Sequence, residues 1–113
     1  MTVNVGVLII EEDAQIRELL DRWLGEAGYV VTTASDSAPQ LIIADVPEPQ
    51  SADERIAALR AVYAAPILLL SARFRRGLAS SADAARRLGV QKVLPKPFTR
   101  SELLAAVSES IAP

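Results

Sequence analysis

The 113-residue chain contains no cysteine and no histidine. Without cysteine there is no disulfide framework and no thiolate nucleophile, which fits a reducing cytosol. Without histidine there is no Ser–His triad, no His-ligated zinc and no phosphohistidine. Aromatic residues make up 4% of the chain. Arg73, Arg75 and Arg76 are accompanied only by Phe74, so they read as solvated loop residues and not as a stacking platform for nucleic acid. No apolar run approaches the ~20 residues that a membrane span needs. The start, Met1-Thr2-Val3-Asn4, has no basic n-region. The expectation is a cytoplasmic chain with no membrane association and no direct nucleic-acid binding.

What is present is a hydrophobic half, 50% of residues, in a length typical of one domain spanning 1–113. The net charge is −2 but unevenly spread. Residues 1–54 carry Glu11, Glu12, Asp13, Glu18, Asp21, Glu26, Asp36, Asp45, Glu48, Asp53 and Glu54 against Arg17 and Arg22. Residues 73–100 reverse this, with Asp83 the sole acid among Arg73, Arg75, Arg76, Arg86, Arg87, Lys92, Lys96 and Arg100. For most of these residues ordinary solvated helix faces explain the pattern. A basic docking face for an acidic partner is the sharper alternative.

Short apolar runs alternate with helical spacings. Val5 to Ile10, Tyr29 to Thr33, Leu41 to Ala44, Pro66 to Leu70 and Val90 to Leu94 read as strands, the longer ones buried on both faces. Ile16, Leu19, Leu20, Trp23, Leu24 and Ala27 mark one helix face stopped by Gly28, with Trp23 assigned to the core. A second pattern runs from Ser51 to Ala64, with Ile56, Ala57, Leu59, Val62 and Tyr63 inward. Others run from Leu78 to Leu88 and from Thr99 to Ile111, the last capped by Thr99 or Ser101. Strands alternating with helices imply an α/β fold, a parallel sheet with helices on both faces. Between Thr33 and Leu41, however, lie only residues 34–40. At most ~25 Å of extended chain fits there, with no room for a helix. A lost helix should uncover apolar sheet beside the first and third strands, and hence favour a homodimer, a covering partner or a shifted neighbouring helix.

The strand ends carry the chemistry. Asp45 closes the third strand, Glu11-Glu12-Asp13 follow the first, Ser71 the fourth and Lys96 the fifth. In open α/β sheets the crevice at the carboxyl ends of the strands is where ligands bind. A nucleophilic aspartate, further carboxylates for a divalent metal, a hydroxyl and a fixed cation are what phosphoryl transfer to a carboxylate requires. The bland readings are helix N-terminal acids for Glu11, Glu12 and Asp13, a strand-end hydroxyl for Ser71 and a solvated lysine for Lys96.

At these motifs the chain resembles the receiver domain of bacterial two-component response regulators. Val7 to Asp13 with Ile16 to Leu20, Leu41 to Val46 with Pro49, Pro66 to Arg73, and Lys96-Pro97-Phe98 carry the resemblance, in order and over essentially the whole length. It implies a flavodoxin-like, five-stranded parallel sheet in order 2-1-3-4-5, here with the second helix missing or replaced by a short loop. It implies that Asp45 accepts a phosphoryl group from a histidine kinase or phosphotransfer protein. Glu11, Glu12, Asp45 and the backbone carbonyl of Pro47 would hold Mg²⁺, Ser71 and Lys96 would bind phosphoryl oxygens, and the Lys96–Pro97 bond would be cis. Such a domain is a signalling acceptor and not an enzyme. The chain departs from the family in three places: Glu12 where the metal-ligating Asp is usual, Val93 where a switch aromatic is usual, and the short 34–40 connection. These departures support a second reading, a pseudo-receiver that serves as an interaction module without phosphorylation. An aspartyl-nucleophile phosphatase would want a carboxylate two residues after Asp45, where Pro47 stands. A nucleotide-binding flavodoxin-like protein would want a Gly-rich loop after the first strand, and none is there.

Overall fold

The computed structural model describes residues 5–32, 38–46, 52–71 and 85–111. Its elements run β1 (Gly6–Ile10), α1 (Ala14–Glu26), β2 (Val30–Thr32), β3 (Leu41–Asp45), α2 (Ala52–Val62), β4 (Ile67–Ser71), α3 (described over 85–88), β5 (Lys92–Pro95) and α4 (Arg100–Ile111). All strand pairs are parallel, in the order β2-β1-β3-β4-β5. This is the flavodoxin-like order.

The apolar runs are continuous because both faces of the sheet are covered. Alternate residues go to opposite cores, as the two-residue period of a strand requires. Leu8, Ile42, Ala44, Ile67, Leu69 and Val93 join Ala52, Ile56 and Leu59 of α2 and Ala85 of α3. Val7, Leu41, Ile43, Leu68, Leu70 and Leu94 join Leu20 and Leu24 of α1 and Leu103, Ala106 and Val107 of α4. Gly28, at φ +97°, follows the C-cap of α1, and Gly89, at φ +73°, follows α3. Both take the left-handed conformation that glycine adopts without Cβ penalty. The start of α4 is a capping box: Thr99 Oγ1 accepts from Glu102 N at 3.1 Å, and Glu102 Oε1 accepts from Thr99 N at 2.8 Å.

No helix lies between β2 and β3 among the described residues. Residues 38–40 are non-helical and 33–37 fall outside the described residues. The sheet beside β1 and β3 is nonetheless covered, contrary to the expectation from the short connection. Leu8 is 2% exposed and Ile42 is fully buried, in one cluster with Ile56 and Leu59. Exposure falls instead on the edge strand, where Val30 is 42% exposed. β2 lies at the sheet margin and has a neighbouring strand on one side only.

Four helix-face assignments change as well. Leu19 is partly exposed, Ala27 and Ala57 are exposed and Val62 is 71% exposed. Leu19 lies beside the stripe through Leu20 and Leu24. Val62 is the last residue of α2. Trp23 is half-buried at the margin of its core.

Candidate functional site

Parallel strands in register bring their carboxyl ends to one edge. Ile10 pairs with Ala44, Asp45 with Leu70 and Ser71 with Pro95. The residues just beyond, Glu11 and Lys96, therefore meet Asp45 across three strands. Lys96 N donates to Ser71 O at 2.9 Å, which carries the β4–β5 ladder one step further and sets the root of the lysine. Its Nζ reaches across the sheet and donates to Asp45 Oδ1 at 2.7 Å and to Glu11 Oε1 at 2.9 Å. The side chains of Glu11, Asp45 and Lys96 are 2%, 14% and 16% exposed. Burial by itself would lower the lysine pKa, but the hydrogen bonds to Asp45 and Glu11 and their charges outweigh it. Lys96 is held above the ordinary lysine value.

Glu11 is fully engaged. Its Oε1 faces Lys96, and its Oε2 accepts from Asp13 N at 3.2 Å. Asp13 caps α1, accepting from Gln15 N at 2.9 Å and Ile16 N at 3.2 Å through Oδ1. Glu12 is exposed and has no hydrogen-bond or ion-pair partner among the described residues. Ser71 is fully buried at the end of β4. Pro47, whose carbonyl completes the expected metal set, lies outside the described residues. The Lys96–Pro97 bond is cis. Val93 is buried in the core on the α2 face.

Among the described residues no three acids converge into a metal-ligating group. Both carboxylate oxygens of exposed Glu12 remain unengaged, and Asp45 Oδ2 has no hydrogen bond, among the described residues. Mg²⁺ is held by one or two carboxylates with several waters retained. Asp45 Oδ2 at the strand end fits the role of one such carboxylate, Glu11 is taken up by the lysine, and Glu12 stands exposed beside them in sequence.

Sequence reasoning found Glu11, Asp45, Ser71 and Lys96, and the structure places all four at the one sheet edge. It did not separate the roles of Glu11, Glu12 and Asp13, because adjacent acids differ only in backbone direction. It also missed Gln40 at the opposite edge. There Gln40 N donates to Gly6 O at 2.8 Å, and its Oε1 accepts from Gly6 N at 2.8 Å.

No family model matches the chain. A response regulator protein from Burkholderia multivorans, known from its solution structure, is 30% identical, with 98% of each chain covered and a TM-score of 0.63. This chain belongs to the response regulator receiver family. Two curated relatives agree. PetR of Rhodobacter capsulatus is 34% identical over 90% of this chain and 46% of its own length. The transcriptional regulatory protein PdtaR of Mycobacterium tuberculosis is 35% identical over 94% and 56%. The receiver domain thus spans about half the length of the curated relatives it matches. A response regulator from Thermotoga maritima, 20% identical, shares the fold with a TM-score of 0.79 over 98% of this chain and 100% of that one. The receiver domain is a component of two-component signalling. No helix among its described residues is long and apolar enough to cross a membrane.

Proposed function

We propose that Asp45 is the phosphoacceptor of this receiver domain, with a histidine kinase or phosphotransfer protein as donor. The observation that carries the proposal is the Lys96 ammonium held between Asp45 and Glu11 at the carboxyl edge of the sheet. A phosphohistidine donor presents a labile N–P bond. A carboxylate oxygen of Asp45 forms the new O–P bond, the N–P bond breaks, and its electron pair stays on the donor imidazole. Lys96 is already within reach of Asp45 and supplies a fixed positive charge for an incoming phosphoryl oxygen. The buried Ser71 hydroxyl at the neighbouring strand end offers a second donor. Glu12, Asp45 and the carbonyl of Pro47 would hold Mg²⁺, with Glu11 beside them. When bound, the ion neutralises charge on the transferring group. The domain acts in this reading as an acceptor and signal carrier.

Intact-mass measurement after incubation with acetyl phosphate and Mg²⁺ tests the assignment. One phosphoryl adduct is expected on the wild-type chain and none on Asp45→Ala. A wild-type chain without an adduct would instead favour the pseudo-receiver, an interaction module independent of phosphorylation. Val93 motivates that second reading, because β5 has no aromatic side chain there to change position. An adduct that survives Asp45→Ala would sink the site assignment.

A further inference from the structure

The loop that carries Lys96 is pinned at both ends. At its start, Lys96 N is bonded to Ser71 O; at its finish, Thr99 is locked by the capping box with Glu102. Between these points Pro97 is exposed and Phe98 is half-buried. The Phe98 ring meets Trp23 of α1 edge to face, with centroids 6.4 Å apart and planes at 68°. Among the described residues, Trp23, Phe98 and Pro97, together with Ile16, Leu19 and Lys96, also line an apolar groove of about 370 Å³. Lys96 therefore borders the groove, while its ammonium reaches the two carboxylates.

We infer that Trp23 is a positioning residue for Lys96, acting through Phe98 and the groove wall. The rotamer entropy of a long lysine side chain opposes holding one extended conformer. The groove confines the stem, and the Trp23–Phe98 contact confines the loop on which the stem is rooted. An edge-to-face pair adds stabilisation beyond the area it buries, which an aliphatic residue of similar reach does not reproduce. Loss of the aromatic edge frees the loop between its two pins and lets water reach the stem. The ammonium then no longer stays within 2.7 Å of Asp45 and 2.9 Å of Glu11. The consequence for phosphoryl uptake rests on Asp45 being the acceptor; the geometric claim does not.

The chain has two lysines, Lys92 and Lys96, which makes a direct test practical. In the lysine-¹⁵N-labelled chain, the Lys96 ammonium is assigned by its loss in Lys96→Met. Slow solvent exchange of that signal reports the bridged position, and Lys92, paired with Glu109 at the surface, is the internal control. The signal is expected to persist in the wild type and in Trp23→Phe, and to vanish in Trp23→Leu, with Lys92 unchanged. Phe98→Leu provides the same test from the other ring should Trp23→Leu fail to fold. Phosphoryl uptake from acetyl phosphate should fall on the order of tenfold in Trp23→Leu and recover in Trp23→Phe. A folded Trp23→Leu chain with a sharp Lys96 signal and wild-type uptake would overturn the inference. So would a Trp23→Phe chain that loses the signal as Trp23→Leu does. Absence of any adduct on the wild type would remove the phosphoacceptor reading alone, and the ammonium signal would still decide the role of Trp23.

Discussion

The two ends of one parallel sheet are built on opposite terms. At the carboxyl end, two carboxylates share a single ammonium, so the group of three carries a net charge of −1 in a largely buried setting. At the amino end, Gln40 and Gly6 exchange two neutral hydrogen bonds, and Gly89 turns the chain from α3 toward β5. Surplus charge is costly in low dielectric and is kept where chemistry needs it. The contrast separates an edge arranged to receive something from an edge arranged to be closed.

The strongest way to break this contrast is Lys96→Met. It leaves Glu11 and Asp45 facing each other without a cation, and removal of one partner from a buried pair costs about 3 kcal/mol. Urea unfolding at neutral pH should show that loss. The lysine pKa is raised in the folded state, so its stabilisation is fully present below the ordinary lysine value of about 10.4. It is lost as pH rises through the higher folded value. The wild-type and Lys96→Met unfolding curves should therefore converge at strongly alkaline pH, and a gap that stays constant would contradict the charge argument.

Smaller effects are expected at the amino end. Gly89→Ala places a side chain at φ +73° and brings its Cβ to 3.4 Å from Arg60 Nη1. A destabilisation of about 1–2 kcal/mol follows, with phosphoryl uptake unchanged. Gln40→Ala removes one hydrogen bond to Gly6 and should cost about 1 kcal/mol by the same measurement. Loss of uptake in either variant would show that the two ends are coupled. The smallest effect, and the one of opposite sign, belongs to Asp45→Asn. It lets Lys96 and Glu11 form a neutral pair, so thermal unfolding should show stability equal to or above that of the wild type. A large destabilisation would mean that Asp45 serves chiefly to hold the fold.

Much of this was legible in the residues. Runs such as Leu41 to Ala44 and Pro66 to Leu70 announced strands covered on both faces, and the polar residue after each run announced the edge where Glu11, Asp45, Ser71 and Lys96 gather. The strand order was not readable from periodicity, since alternating elements permit several orders; the resemblance in the motifs supplied it. The division of labour in Glu11-Glu12-Asp13 stayed hidden because it depends on where the backbone turns into α1. Glu11 continues the strand direction into the interior, Glu12 points to solvent and Asp13 stands at the cap. Val62 and Leu19 were assigned inward because a helical period does not show which positions along the face are covered. Gln40 gave no signal, since a lone amide in a connection has no pattern around it.

The margins of the sheet carry one last consequence. One edge strand, β2, is three residues long. The other, β5, starts at Lys92 and stops at Pro95, which has no amide hydrogen to offer a further strand. Short edges with a charge and a proline are poor templates for backbone pairing between chains. Growth of the sheet by strand addition, and the aggregation that follows from it, is thereby disfavoured at the β5 side, where the margin shows a charge at one end and a proline at the other.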